Sequence, residues 1–308
     1  MRISTLIVRN LKYYWRTNLA VVAGVAIAVS VLAGASLVGE SVRASLRSLF
    51  LERIGKTDDV VTSSGFFREE LAASFPAACP MIVLEGLVIQ QSGGRRSSHV
   101  AVYGVDQRFW KFHERAGQAP SGRQALLSEA LAAEIGIKAG ESVLVRVEKP
   151  SAIPAEWLHG RKEETSSAMR FTVRQVLSAA ELGDFSLRPQ QGGVRAIFLP
   201  LPRVQKELEQ EKKINVILTH GTPPEQKLRE TFTLADLGLK SRLVDEGRSL
   251  SIESDSAVLN DILAAGTTAT AAAMDLRAKP VFTYLSNSIR IGGKEIPYSL
   301  VSALDLQA

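Results

Sequence analysis

Residues 19–38, LAVVAGVAIAVSVLAGASLV, are an uncharged apolar run whose only polar side chains are two serines. About 20 residues at 1.5 Å rise make a helix of roughly 30 Å, the thickness of a bilayer's hydrocarbon core, so the pattern predicts a membrane-spanning helix. Small residues recur at every fourth position, as Ala20-Gly24-Ala28 and Ala26-Ser30-Gly34, which lets another membrane helix approach closely. The helical period continues beyond the run. In residues 39–55, GESVRASLRSLFLERIG, Val42, Leu46, Leu49, Phe50 and Ile54 fall on one side, and Arg43, Arg47 and Glu52 fall elsewhere. A stalk that carries the membrane helix outward is expected there.

Beyond Gly55 the pattern shortens to alternation. A short strand is predicted at 58–62, a helix at 67–74, and a strand at 81–90 that turns at Gly93-Gly94 and returns through 99–104. From Gln124 the order is strand, helix, strand: ALL, then SEALAAEIGI with Ser128 as N-cap and Gly136 as the helix end, then ESVLVRVE. Residues 149–167 are polar and broken by Pro150 and Pro154, which predicts a surface loop. Strands at 169–178 and 194–199, a charged helix at 202–213, a strand at 214–219 and a helix starting near Pro224 follow. An alanine-rich helix at 255–278 then leads into a strand from Val281, the pair Gly292-Gly293, and a strand ending at Asp305. Gly93 to Asp106 and Gly292 to Asp305 have the same spacing. That makes a helix-plus-hairpin unit a candidate internal repeat, with convergent hairpin chemistry as the alternative.

The expected fold class is α+β: one N-terminal transmembrane helix and stalk, then a mixed α/β extracytoplasmic domain of two subdomains. The expected partition is 1–18 a cytoplasmic basic amphipathic leader, 19–38 the transmembrane helix, 39–55 the stalk, 56–250 the extracytoplasmic core domain, and 251–308 the start of a second, incomplete helix-plus-hairpin unit. The last of these reads as a truncated reading frame or an excerpt of a longer protein.

Charge sets the orientation. Arg2, Arg9, Lys12 and Arg16 precede the apolar run with no acidic residue among them, whereas Arg43, Arg47 and Arg53 follow it interleaved with Glu40 and Glu52. The leader therefore stays cytoplasmic and the bulk is exported. Tyr13, Tyr14 and Trp15 suit the headgroup layer. A cleaved signal peptide is the rival reading, with Ala33-Gly34-Ala35 as its cleavage site; the long leader and long apolar run favour a retained anchor. Without the four leader cations, 33 of the 37 Lys and Arg remain against 32 Asp and Glu, so the domain is nearly neutral and carries no nucleic-acid footprint. A single cysteine, Cys79, excludes an intramolecular disulfide framework.

No motif in the chain argues for catalysis. His99, His113, His159 and His220 stand in no metal-ligand spacing and read as surface or turn residues. Ile291-Gly292-Gly293-Lys294-Glu295 lacks the upstream glycine and the Ser or Thr of a phosphate loop, and no GxSxG occurs. No catalytic, cofactor-binding or metal-binding residue is assigned, and no cofactor is expected.

The strand end Tyr103-Gly104-Val105-Asp106, the run LLSEALAAEIGIKAGESVLVRV at 126–147 and FTVRQVL at 171–177, following a basic leader and one membrane helix, resemble the MacB/FtsX/LolC-type ABC transporter permeases over roughly residues 1–220. Glu141 stands where that family commonly has aspartate, and family permeases carry three further membrane helices after this domain. The resemblance implies a permease subunit, not an enzyme. Its partners would be a separate cytoplasmic ABC ATPase, a second permease subunit as homo- or heterodimer, and the lipid bilayer of the inner membrane. The outer domain would relay ATPase-driven motion to a lipid, lipoprotein, peptide or partner protein. The competing class is a single-helix membrane-anchored binding or adaptor domain.

Overall fold

The computed structural model describes residues 3–149, 166–221, 225–254 and 259–304. The loop expected at 149–167 lies almost wholly outside the described residues. The leader is a helix of its own, α1 (Ile3–Tyr13), separated from α2 (Trp15–Ile54) by Tyr14, whose φ of −100° and ψ of 26° break the helical path. The apolar run and the segment expected to form a stalk are one unbroken helix. Its 40 residues make α2 about 60 Å long, and among the described residues it alone is long and apolar enough to cross a membrane. It stops at Gly55, which takes the left-handed φ of 59° that a side chain would resist.

The core begins at once. Its strands are β1 (Asp59–Arg68), β2 (Cys79–Gln90), β3 (Arg96–Val105), β4 (Gln124–Ser128), β5 (Ser142–Glu148), β6 (Ser166–Leu177), β7 (Ala196–Pro200) and β8 (Lys213–Thr219), and its helices are α3 (Gln107–Phe112), α4 (Glu129–Ile135), α5 (Leu201–Glu207) and α6 (Glu225–Thr231). The eight strands lie in the order β1-β8-β2-β3-β7-β4-β6-β5, and β5 pairs again with β2. Six strands thus close into a ring, and β8 and β1 branch from the start of β2. The β3–β7 and β4–β6 ladders are parallel; both join strands far apart in sequence.

Alternation along the strands feeds two cores. Val88, Val100, Val102, Leu127, Val145, Phe171 and Ile197 gather in one cluster. Their neighbours of opposite parity, Met81, Tyr103, Val105 and Phe198, join Phe109, Trp110 and Phe185 in the other. The second cluster is aromatic, with Tyr103 5.3 Å and Phe109 5.0 Å from Phe185 between ring centroids. Ser128 caps α4 as expected, its hydroxyl accepting from Leu131 N–H at 3.2 Å and also from Ala196 N–H at 3.0 Å, which ties the helix start to β7. Gly136 closes α4 at a left-handed φ of 65°.

Two expectations are corrected. The helix expected at 67–74 is divided: Phe67 completes β1 opposite Ile214, and only Glu69–Ser74 coil, as a 3-10 turn. Cross-strand burial of Phe67 outweighs its place in a helical pattern. The helix expected at 202–213 is α5, which ends at Glu207 because Glu209 and Lys212 adopt left-handed φ of 57° and 55°. The pattern also missed α3 and the hairpin of β9 (Leu239–Val244) and β10 (Ser249–Ser254).

The last elements are α7 (Asp261–Ala273), capped by the Asn260 side chain accepting from Leu263 N–H at 2.9 Å, and a hairpin of β11 (Val281–Ile291) and β12 (Lys294–Leu304). Gly292 and Gly293, at φ of 54° and 78°, make its two-residue turn. The four residues 255–258 at the expected start of α7 lie outside the described residues.

Candidate functional site

Buried polar groups converge where α2 enters the core. Arg53, in the last turn of α2, is 93% buried. Its guanidinium donates to the Gln190 carbonyl at 2.6 Å and to the Gly192 carbonyl at 2.8 Å, on the segment that leads into β7. Charge-assisted bonds to two carbonyls from one planar group fix direction as well as distance.

Gly55 lies flat against an imidazole: a Cβ there would come within 2.6 Å of His113 Nδ1. The next residue, Lys56, donates its backbone N–H to that same nitrogen at 3.2 Å, and its ammonium pairs with Glu114. Thr57 is buried, and Asp58 closes the joint through Gly221 N–H at 2.8 Å and His220 Nδ1 at 2.7 Å.

His113 corrects the expectation of surface histidines. It follows α3, is buried among Phe109, Phe112 and Phe185 at ring-centroid distances of 4.8, 4.9 and 5.3 Å, and only 3% of it is exposed. Burial, with a smaller contribution from Arg115, pushes its pKa down to about 4. The ring is neutral at physiological pH, and because Nδ1 accepts from Lys56, the proton sits on Nε2. Nε2, Arg53 Nε and Thr57 Oγ1 are buried without a hydrogen-bond partner among the described residues, so three orphaned polar atoms lie at one joint. His99 and His220 are exposed as expected, and His159 lies outside the described residues.

The helix that carries His113 is itself braced. Asp106 caps α3 by accepting from Arg108 N–H at 2.8 Å, and the Arg108 guanidinium bridges Asp106 to Glu69. These carboxylates raise the Arg108 pKa against the burial that would lower it. Beside the joint opens a cleft of about 700 Å³ lined by Phe75, Phe112 and Pro80 together with Lys56, Glu69, Arg108 and Lys212. Among the described residues no group of three or more His, Cys, Asp or Glu is placed to hold a metal ion.

Sequence reasoning missed Arg53 and His113. The aromatic run Phe109-Trp110-Lys111-Phe112-His113 was the available signal that this histidine is buried. Nothing local distinguishes Arg53 from an ordinary cation near a helix C-terminus.

No curated protein matches the chain. Among solved structures it is similar to the periplasmic region of MacB from Actinobacillus actinomycetemcomitans, at 12% identity and a TM-score of 0.35 over 74% of this chain and 97% of that one. It is also similar to the extracellular domain of the noncanonic ABC-type transporter YknZ from Gram-positive bacteria, at 8% identity and a TM-score of 0.32 over 56% of this chain and 88% of that one. The family model of the MacB-like periplasmic core domain matches residues 19–230, and with more than half its length so matched, this membrane-anchored chain belongs to that family.

Proposed function

We propose that the chain is a permease subunit of an ABC transporter of the MacB/FtsX/LolC type. It would sit in the inner membrane with everything after α2's apolar part outside the cytoplasm, paired with a second permease subunit and driven by a separate cytoplasmic ATPase. In this reading residues 56–250 are the outer core domain, which passes the motion on to a lipid, lipoprotein, peptide or partner protein.

The observation that supports a relay is the combination of an unbroken α2 with a locked end. A helix that spans the bilayer and continues to Ile54 moves as a rod. Arg53, Gly55 and Lys56 fasten that rod to the segment before β7 and to the histidine after α3. A mere tether would work equally well through a loose linker. A ligand or nucleotide biases such a two-state mover only through its differential affinity for the states.

Spin labels on Arg47 and Arg146, both exposed, test the relay in the chain co-expressed with its ATPase. The only native thiol, Cys79, is buried and its pKa is raised by burial, so background labelling is low. The expected result is a narrow distance distribution that stays narrow across nucleotide states and broadens in Arg53→Ala. A wild-type distribution as broad as that of Arg53→Ala would refute a rigid joint.

A further inference from the structure

Hairpin β11–β12 repeats the geometry of hairpin β2–β3. In the first, Ile82 faces Gly104, Val83 faces Tyr103, Leu84 faces Val102, Glu85 faces Ala101 and Gly86 faces Val100. In the second, Phe282 faces Ala303, Thr283 faces Ser302, Tyr284 faces Val301, Leu285 faces Leu300 and Ser286 faces Ser299. The five pairs run in the same order from the open end. Each returning strand has one non-glycine residue in the left-handed region, His99 at φ 55° and Tyr298 at φ 52°, and each stands immediately before the fifth pair. Left-handed backbone is uncommon for any side chain, and for a tyrosine it is a genuine outlier. The copies differ at the turn, and the first takes up its left-handed residue as a bulge where the second keeps register.

The side chains repeat as well. On β2–β3, Ile82, Val100 and Val102 enter one core cluster, and Met81, Tyr103 and Val105 enter the other, so both faces of the hairpin are covered. On β11–β12, Phe282, Tyr284, Val301 and Ala303 share one face, while Val281, Leu285, Leu300 and Leu304 share the other. A hairpin largely apolar on both faces, with only the Thr283–Ser302 and Ser286–Ser299 pairs polar among these positions, is patterned for the middle of a sheet. Here Val281, Leu285, Leu300 and Leu304 are all exposed. Among the described residues β11 and β12 pair only with each other.

The equivalent interface shows what such an edge pairs with. On β3 the outer edge is taken by β7, a parallel strand of apolar residues buried along its whole length, with Ala196, Ile197, Phe198, Leu199 and Pro200 beside Ala101 to Val105 in turn. We propose that β11–β12 is the central hairpin of a second core unit. Its docking surface is the outer edge of β12 along Leu300 to Leu304, and the partner that fits is a β-strand of β7-like chemistry, apolar on both faces and running parallel to β12. The register carries over, placing the residue equivalent to Ile197 beside Val301. This assignment is independent of the relay.

The probe is a synthetic peptide of the sequence of residues 194–201, added to the purified chain in detergent. Saturating peptide is expected to slow amide exchange across 300–304 by tenfold or more and to leave β9–β10 unchanged. Parallel register is read by disulfide formation between Val301→Cys and a peptide carrying cysteine in place of Ile197. A peptide carrying it in place of Leu199 should not react, since neighbouring strands displaced by two residues put Cα atoms about 8 Å apart, beyond disulfide reach. Unchanged exchange with the unsubstituted chain overturns the proposal. So does protection that rises with chain concentration alone together with Val301→Cys dimers, which would make a second copy the occupant.

Discussion

Val102 and Val301 occupy the same place in two hairpins of one backbone pattern, and their surroundings differ completely. Val102 has no exposed surface, packed between β7 and the larger core cluster; Val301 keeps part of its surface exposed. The order of the five facing pairs and even a left-handed residue are repeated, so these properties come from the local sequence. Burial is not repeated, because it is supplied by strands such as β7 and β8 from elsewhere. An isolated two-stranded hairpin is marginal in water; the same ribbon inside a closed ring becomes part of a cooperative unit.

The largest effect that would sharpen this contrast is a charge at the paired positions. Val102→Asp should cost about 4 kcal/mol or more, since it buries an unpaired carboxylate, whereas Val301→Asp should stay within about 0.5 kcal/mol in urea unfolding of the purified chain. Equal costs would show that β11–β12 is already covered.

Acid should separate the two regions next. The folded pKa of His113 is about 4, below an unfolded value near 6.5. Between those values the unfolded chain binds more protons, so this stabilisation is complete above about pH 6.5 and is lost as pH falls towards 4, by up to about 3 kcal/mol. Urea midpoints measured from pH 7 to 4 should fall in the wild type and fall much less in His113→Gln, even though that variant starts lower. The exposed hairpin holds no comparable buried base, and its exchange, corrected for intrinsic rates, should not follow this profile.

The smallest effect tests the repeated backbone itself. A left-handed side chain costs roughly 1–2 kcal/mol, offset in part by the flexibility of glycine. His99→Gly should therefore raise core stability by about 0.5–1 kcal/mol in urea unfolding. Tyr298→Gly should slow exchange within β11–β12 about fivefold while leaving the urea midpoint of the core unchanged. Opposite signs at the two positions would break the equivalence.

What could be read from the amino-acid order divides along the same line. The long apolar helix, the Ser128 cap, the Gly136 stop and the Gly292-Gly293 turn depend on a few adjacent residues, and all stand where expected. The ring closure of β5 on β2 and the parallel ladders do not, since periodicity carries no information about which distant strand is the neighbour. Phe67 shows the conflict directly, fitting a helical stripe but taken by Ile214. The joint was hidden for the same reason: Arg53 and His113 acquire their roles only when the segment before β7 and the end of α3 arrive beside Gly55.

The continuity of α2 also sets the reach that the proposed relay would have. From Gly39 to Ile54 the helix projects sixteen residues, about 24 Å, past its apolar part. A tilt of about 10° in the bilayer would swing its tip sideways by about 4 Å, close to the 4.7–4.9 Å between neighbouring strands. In the proposed relay, a lever of that length would turn a small rocking motion into a step of about one strand's width at whatever the outer domain engages.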